Sequence, residues 1–154
     1  MWQVRRITFE EILPVWRDQL WPNRESPIEP LSAIDEDGSI NMKLMLSHPY
    51  FLGAYLDDQI IGVLSGFKTS AKSFRSRGLW VAPEQRGLGL ARKLMADLER
   101  LAREAECDNL WTMARQDAWL FYRRLGFQQK LTIERYEYGP HVICAKALSA
   151  NLNG

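Results

Sequence analysis

Two short stretches of this 154-residue chain gather residue types that can do chemistry. In "PEQRGLGLARKL", residues 83–94, Gly87 and Gly89 stand two apart between Arg86 and Ala91, directly ahead of a long amphipathic pattern. A turn stripped of side chains at the start of a helix presents unpaired N–H groups and about half a positive charge, and these hold an anion such as a phosphate or pyrophosphate. Arg86 can add a charge-assisted bond. In "ARQDAWLFYRRLGFQ", residues 114–128, Tyr122 offers a phenol with a pKa of about 10, which keeps its proton at neutral pH and can pass it to a leaving group of lower pKa. Phe121 beside it reads as an aromatic packing a short helix closed by Gly126.

Two phosphate-binding designs are excluded by what the glycine stretch lacks. A P-loop needs a Gly-Lys-Ser or Gly-Lys-Thr, and the chain has neither. A dinucleotide fingerprint needs a third glycine, but Gly87-Leu88-Gly89 is followed by Leu90-Ala91-Arg92. Nucleotide hydrolysis and hydride transfer both recede.

The elements that position these stretches follow from periodicity. "WQVRRIT" reads as a first strand, and Thr8 as the N-cap of a helix with Phe9, Ile12, Leu13, Trp16 and Leu20 at helical spacing, shortened or bent by Pro14. Residues 22–38 hold three prolines and no periodic apolar set, which predicts a long loop. "SINMKLMLSH" predicts a second helix. Then come "YFLGAYL", "IIGVLSGFKT" and "SFRSRGLWVAP", three strand-like runs joined by short connections and paired antiparallel, the last ending at Pro83. The amphipathic helix after Gly89 carries Ala91, Leu94, Met95, Leu98, Leu101, Ala102 and Ala105 on one face. "NLWTMA" is a fifth strand, parallel to the fourth by the strand-helix-strand rule. "KLTIERYEY" and "HVICAKAL" form a final hairpin. The expected fold class is therefore α/β (α+β): a mixed, mostly antiparallel sheet of six or seven strands flanked by helices, with one parallel unit.

Residues 1–154 are the length of one domain. With 46% hydrophobic and 25% charged residues the composition is that of a soluble globular protein. No apolar run approaches the roughly 20 residues that span a bilayer, and the N-terminus has no secretory core, so a cytoplasmic protein without a membrane partner is expected. A formal charge of +1 gives no field to attract a nucleic-acid backbone. A local patch of Arg75, Arg77, Arg86, Arg92 and Lys93 would be the only footing for nucleic acid, and those charges are expected near cofactor phosphates instead. Cys107 and Cys144 are expected buried and reduced, and with His48 and His141 they make no metal site.

The arrangement Arg86-x-x-Gly89-x-Ala91, entered from "LWVAP", resembles the pyrophosphate loop of the GNAT superfamily of acyl-CoA-dependent N-acetyltransferases. "ARQDAWLFYRRLGFQ" is similar to that family's later motif at Ala118, Phe121, Tyr122, Gly126 and Phe127, and the resemblance covers roughly residues 50–148. It implies the GNAT fold and acetyl-CoA as acyl-donor co-substrate. The pyrophosphate would lie on Arg86, Gly87, Leu88, Gly89, Leu90 and Ala91, beside Phe121. The pantetheine arm would lie along Leu79, Trp80 and Val81, where the family's fourth and fifth strands diverge. The Val81 N–H would be the oxyanion donor and Tyr122 the general acid toward the departing thiolate. Arg115 stands where the family often has Asn, so that residue's role does not carry over.

The reaction implied is direct attack of a primary amine on the thioester; a CoA-binding regulatory module without catalysis is the alternative. A base is not evident. Many relatives use a glutamate on the fourth strand, but "SFRSRGLWV" has Arg75 and Arg77, on the same face by parity as Leu79 and Val81. Glu84 reads as surface, and His48 as a loop histidine. Clues to the acceptor conflict. The loop from Asn23 to Gly38 carries five acids against Arg24, which suits a cationic amine, whereas Arg75 and Arg77 would favour a carboxylate-bearing one. Many members dimerise, so a homodimer is admitted by the resemblance, though no feature of the C-terminal strands decides it.

Overall fold

The computed structural model describes residues 2–149, so residue 1 and residues 150–154 of the expected single domain lie outside the described residues. Seven strands form one sheet: β1 (Gln3–Ile7), β2 (Tyr50–Leu56), β3 (Gln59–Lys68), β4 (Ser73–Val81), β5 (Asn109–Arg115), β6 (Gln128–Ile133) and β7 (His141–Ala147). Their order is β1-β2-β3-β4-β5-β7-β6, and only β4 and β5 run parallel. The mixed sheet with one parallel unit is as the sequence predicts.

On one face lie helix α2 (Leu90–Glu104) and helix α3 (Trp119–Arg124), over a core that includes Leu64, Phe74, Leu94, Leu98 and Leu110. Leu94 and Leu98 are fully buried, as the amphipathic spacing requires. On the other face helix α1 (Phe9–Val15) begins with a capping box: Glu11 N–H donates to the Thr8 hydroxyl and Thr8 N–H donates to the Glu11 carboxylate. Pro14 cannot donate a backbone bond, and the chain continues as a π-helical turn, Trp16–Leu20, in which Trp21 N–H reaches Trp16 O at 2.7 Å. That turn delivers Trp16, fully buried, onto β4.

Two expectations need correction. The second helix is only a 3-10 turn, Met42–Leu46. Leu44 alone is buried there, against Leu31 and Phe67, while Ile40, Met42 and Leu46 are exposed, so the apolar residues share no helical face. The final hairpin is shorter than its β-rich run, because β6 stops at Ile133 and residues 134–140 form a loop. That loop bends back over the sheet, with Tyr138 Oη donating to Pro22 O at 2.8 Å and Ser26 Oγ bonded to the Glu137 carboxylate.

The feature that shapes the site is a bulge in β4. Val63 pairs with Trp80 and Ser65 with Arg77, so Gly78 and Leu79 together oppose Leu64. Gly78 has φ +77°, the left-handed conformation such a bulge takes with glycine. A Cβ there would lie 2.5 Å from the Trp16 indole, whose Nε1 donates to Gly78 O at 2.9 Å. The bulge also resets the side-chain alternation. Arg75 and Arg77 face the α1 side, but Val81 joins Phe74 in the core under α2 and Leu79 packs against that same core, so the predicted shared face is wrong at Leu79 and Val81.

Candidate active site

Pairing between β4 and β5 runs only from Ser73–Asn109 to Ser76–Thr112, where Thr112 Oγ1 donates to Ser76 O at 2.9 Å. Past that rung the two strands separate, and the bulge at Gly78 marks where β4 turns away. Ala82 N–H donates to Ile61 O on β3 at 2.8 Å. Since successive amides of a strand point to opposite sides, the Val81 N–H is directed away from β3, toward the gap. Val81 O accepts from Arg86 Nε at 3.0 Å, so the exposed Arg86 side chain also braces the turn.

Two cavities lie along these strands, with no lining residue in common. The first, about 340 Å³, is lined by Val81, Arg86, Gly87, Gly89, Leu90, Ala91 and Phe121, together with Gln85, Arg92 and Arg124. Gly87 and Gly89 have φ of +78° and +91°, yet a Cβ on either would meet nothing within 4 Å. These glycines serve backbone conformation, and the turn leaves its surface open. Gly89 is the N-cap of α2 and no side chain caps the helix, so its first amides stay available. Leu88 is exposed and its side chain stands outside this lining.

The second cavity, about 190 Å³, contains the ring of Tyr122 on one side and Gly78, Leu79, Thr112 and Ala114 along the gap. Burial pushes the Tyr122 phenol well above 10, while Thr112 acts in the opposite direction, so the phenol holds its proton across the neutral range. Trp80 enters neither cavity; its side chain packs toward α1.

Four arginines line this second cavity: Arg24, Arg75, Arg77 and Arg115. Arg75 is 5% exposed and Arg77 7%. Arg75 Nη1 donates to Ile34 O at 3.2 Å and its guanidinium lies 5.0 Å from the Trp111 ring, while Nε has no partner. Arg77 Nη1 donates to Glu29 O at 2.8 Å, its guanidinium 5.0 Å from Trp16 and 5.1 Å from Trp21. Burial lowers Arg75 to about 10, and burial together with the neighbouring Arg75 charge lowers Arg77 to about 9. The expectation that both lie near the cofactor phosphates is overturned, since they sit on the opposite face from the glycine turn. Lys93 is likewise engaged, 2.9 Å from Asp97.

Arg115, in the position of the family's frequent Asn, donates to Leu20 O at 2.7 Å and covers the Tyr138 ring at 4.6 Å. It ties the π-helical turn to β5. Glu84 and His48 do not line the cavity, but His141 does. Its Nδ1 lies 2.9 Å from Gly139 O, which places the proton on Nδ1 and leaves Nε2 as an acceptor in the neutral ring. Burial, reinforced by Arg115 and Arg75, holds His141 below its ordinary 6.5. Sequence reasoning missed His141, Gly78 and the 134–140 loop. The first two look like ordinary strand residues, and the loop reads as a continued strand.

Neither cysteine lines these cavities. Both are buried and unpaired, with burial pushing Cys144 up to about 12 and raising Cys107.

A parallel pair that opens beside a glycine turn at a helix N-terminus is the arrangement implied by the resemblance to acyl-CoA-dependent acetyltransferases. The sequence model of the acetyltransferase (GNAT) family matches residues 12–127, and the chain belongs to that family, whose acyl donor is acetyl-CoA. The fold is similar to that of Ard1 from Thermoplasma volcanium, with a TM-score of 0.72 and 18% identity over 96% of this chain and 98% of that one. It is similar also to an aminoglycoside 6'-N-acetyltransferase complexed with coenzyme A, with a TM-score of 0.72 and 12% identity over 97% and 98%. A PaiA N-acetyltransferase from Thermoplasma acidophilum, in complex with coenzyme A, aligns over 64% of this chain and 60% of its own, with a TM-score of 0.55 and 20% identity. A sequence search of curated proteins gave no match. Among the described residues no helix is long and apolar enough to cross a membrane.

Proposed function

We propose that the protein transfers acetyl directly from acetyl-CoA to a primary amine within a ternary complex. The observation that carries this reading is the gap between β4 and β5, which has the Val81 N–H on one edge and Tyr122 within it. The amides from Arg86 to Ala91 hold the pyrophosphate, and the edge from Leu79 to Val81 receives the pantetheine arm. Trp80 contributes through the strand, since its amide points with that of Ala82 toward β3.

Catalysis then divides among three groups. His141 Nε2 takes the proton of the attacking amine, Val81 N–H stabilises the oxyanion as the C–N bond forms, and Tyr122 protonates the thiolate as the C–S bond breaks. Burial keeps the phenol protonated at neutral pH, so Tyr122 has a proton to give although burial weakens it as an acid, and the depressed imidazole pKa leaves His141 a base that is neutral at pH 7. A covalent acetyl-cysteine is disfavoured, because both thiols are away from the gap and held protonated.

Initial-velocity kinetics of thiol release test this. Intersecting double-reciprocal lines are expected for a ternary complex; parallel lines, with acetyl-enzyme detected by mass spectrometry, would replace it with a ping-pong route.

A further inference from the structure

We propose that the acyl acceptor is an amine that also carries an oxyanion, a carboxylate or phosphate, and that Arg75 and Arg77 bind that group from below the gap. The inference rests on the acetyltransferase reading and assigns the acceptor class of the same site. Its basis is an electrostatic imbalance. A buried charge is costly unless paired, and a guanidinium has five donors to satisfy. Arg75 and Arg77 are both more than nine-tenths buried, yet among the described residues neither has a carboxylate within 4.0 Å. Each spends one nitrogen on a loop carbonyl, and Arg75 Nε is unsatisfied. Their flat faces lie against Trp111, Trp16 and Trp21, which fixes the plane of each fork without supplying a counter-charge.

The nearest acids act only at a distance: Asp35 favours the charged form of Arg75 and Glu29 that of Arg77, but each by less than burial opposes it, and neither forms an ion pair. Of the five acids between Asn23 and Gly38, none lines the cavity. Glu36 accepts from Asn109 Nδ2, and Asp35 accepts from Asn41 Nδ2. Glu137 is the one carboxylate in the lining, and it is bonded to Ser26. The cofactor phosphates are no answer either, since the other cavity has Arg86, Arg92 and Arg124 for them. An oxyanion on the acceptor completes the pair bidentately, and its amine then extends toward Tyr122 and the open gap.

The test is thiol release from acetyl-CoA by the wild-type protein, with matched acceptors. The panel is the twenty amino acids beside their carboxamides, O-phosphoethanolamine beside ethanolamine, and spermidine and kanamycin as polycations. At least one anionic amine should be turned over with kcat/KM about tenfold or more above its uncharged partner, the cost of unpairing a buried charge. Acids and phosphoethanolamine separate the two oxyanion sources. Arg77→Lys, which keeps the charge but loses the fork, should raise KM for that acceptor and leave the acetyl-CoA dissociation constant unchanged by calorimetry. Carboxamides or polycations turned over as well as the anionic amines would overturn the proposal, as would acetyl-CoA binding with no anionic amine accepted. Failure to bind acetyl-CoA at all would instead overturn the acetyltransferase reading.

Discussion

The two sides of the β4–β5 gap are built by opposite means. On the proposed cofactor side, the turn from Arg86 to Ala91 is open backbone: a Cβ on Gly87 or Gly89 would meet nothing within 4 Å, no side chain caps the helix, and Arg86 Nε donates to Val81 O. On the proposed acceptor side the wall is made of buried side chains, two arginines on three indoles, with a histidine and a tyrosine lining the same space. Backbone amides recognise a phosphate whatever is attached to it, so the first surface suits a ligand common to a family. Fixed, desolvated charges recognise one chemistry, so the second suits a substrate particular to this chain.

Substitutions can break each side separately. The largest effect is expected at Tyr122, where Phe should lower kcat by roughly tenfold or more by removing the thiolate acid. Its acetyl-CoA dissociation constant by calorimetry should stay near wild type. Next is Gly78→Val, which sets a Cβ into the Trp16 indole at a left-handed φ and should cost about 3 kcal/mol or more of stability in urea unfolding. The same change at Gly89 meets no neighbour, so only conformational strain of about 1–2 kcal/mol applies, and it should appear as weaker acetyl-CoA binding. A smaller effect is expected from pH. With His141 as the base, kcat/KM falls as pH drops through a value below 6.5, because the neutral ring is lost by protonation there, and His141→Gln removes that acidic limb. An unchanged limb in that variant would reassign the base.

The same contrast explains what could be read from the sequence. The cofactor turn is contiguous, and backbone function leaves its mark in glycine spacing, so Arg86 to Ala91 are recognisable before any fold is known. Tyr122 follows from its short motif. The proposed acceptor wall is gathered from segments far apart in the chain: Trp21 and Arg24, the β4 arginines, β5, and the loop before His141. No local pattern joins them. The conflict between the acidic loop and the β4 arginines was undecidable from composition, because it depends on which charges face inward. Strand parity also misled, since one extra residue at Gly78 turns Val81 to the opposite face. The 3-10 turn at Met42–Leu46 shows a further limit: apolar content there predicts a helix, but only Leu44 is buried, with Met45 partly packed beside it.

The most direct measurement is calorimetric titration of acetyl-CoA into the wild-type protein and the Gly89→Val variant. Saturable one-to-one binding is expected for the wild type, with affinity at least about fivefold weaker in the variant, the equivalent of 1 kcal/mol or more of strain at the turn. Absence of wild-type binding at millimolar acetyl-CoA, or equal affinities in the two proteins, would contradict the assignment of the cofactor to the Arg86–Ala91 backbone.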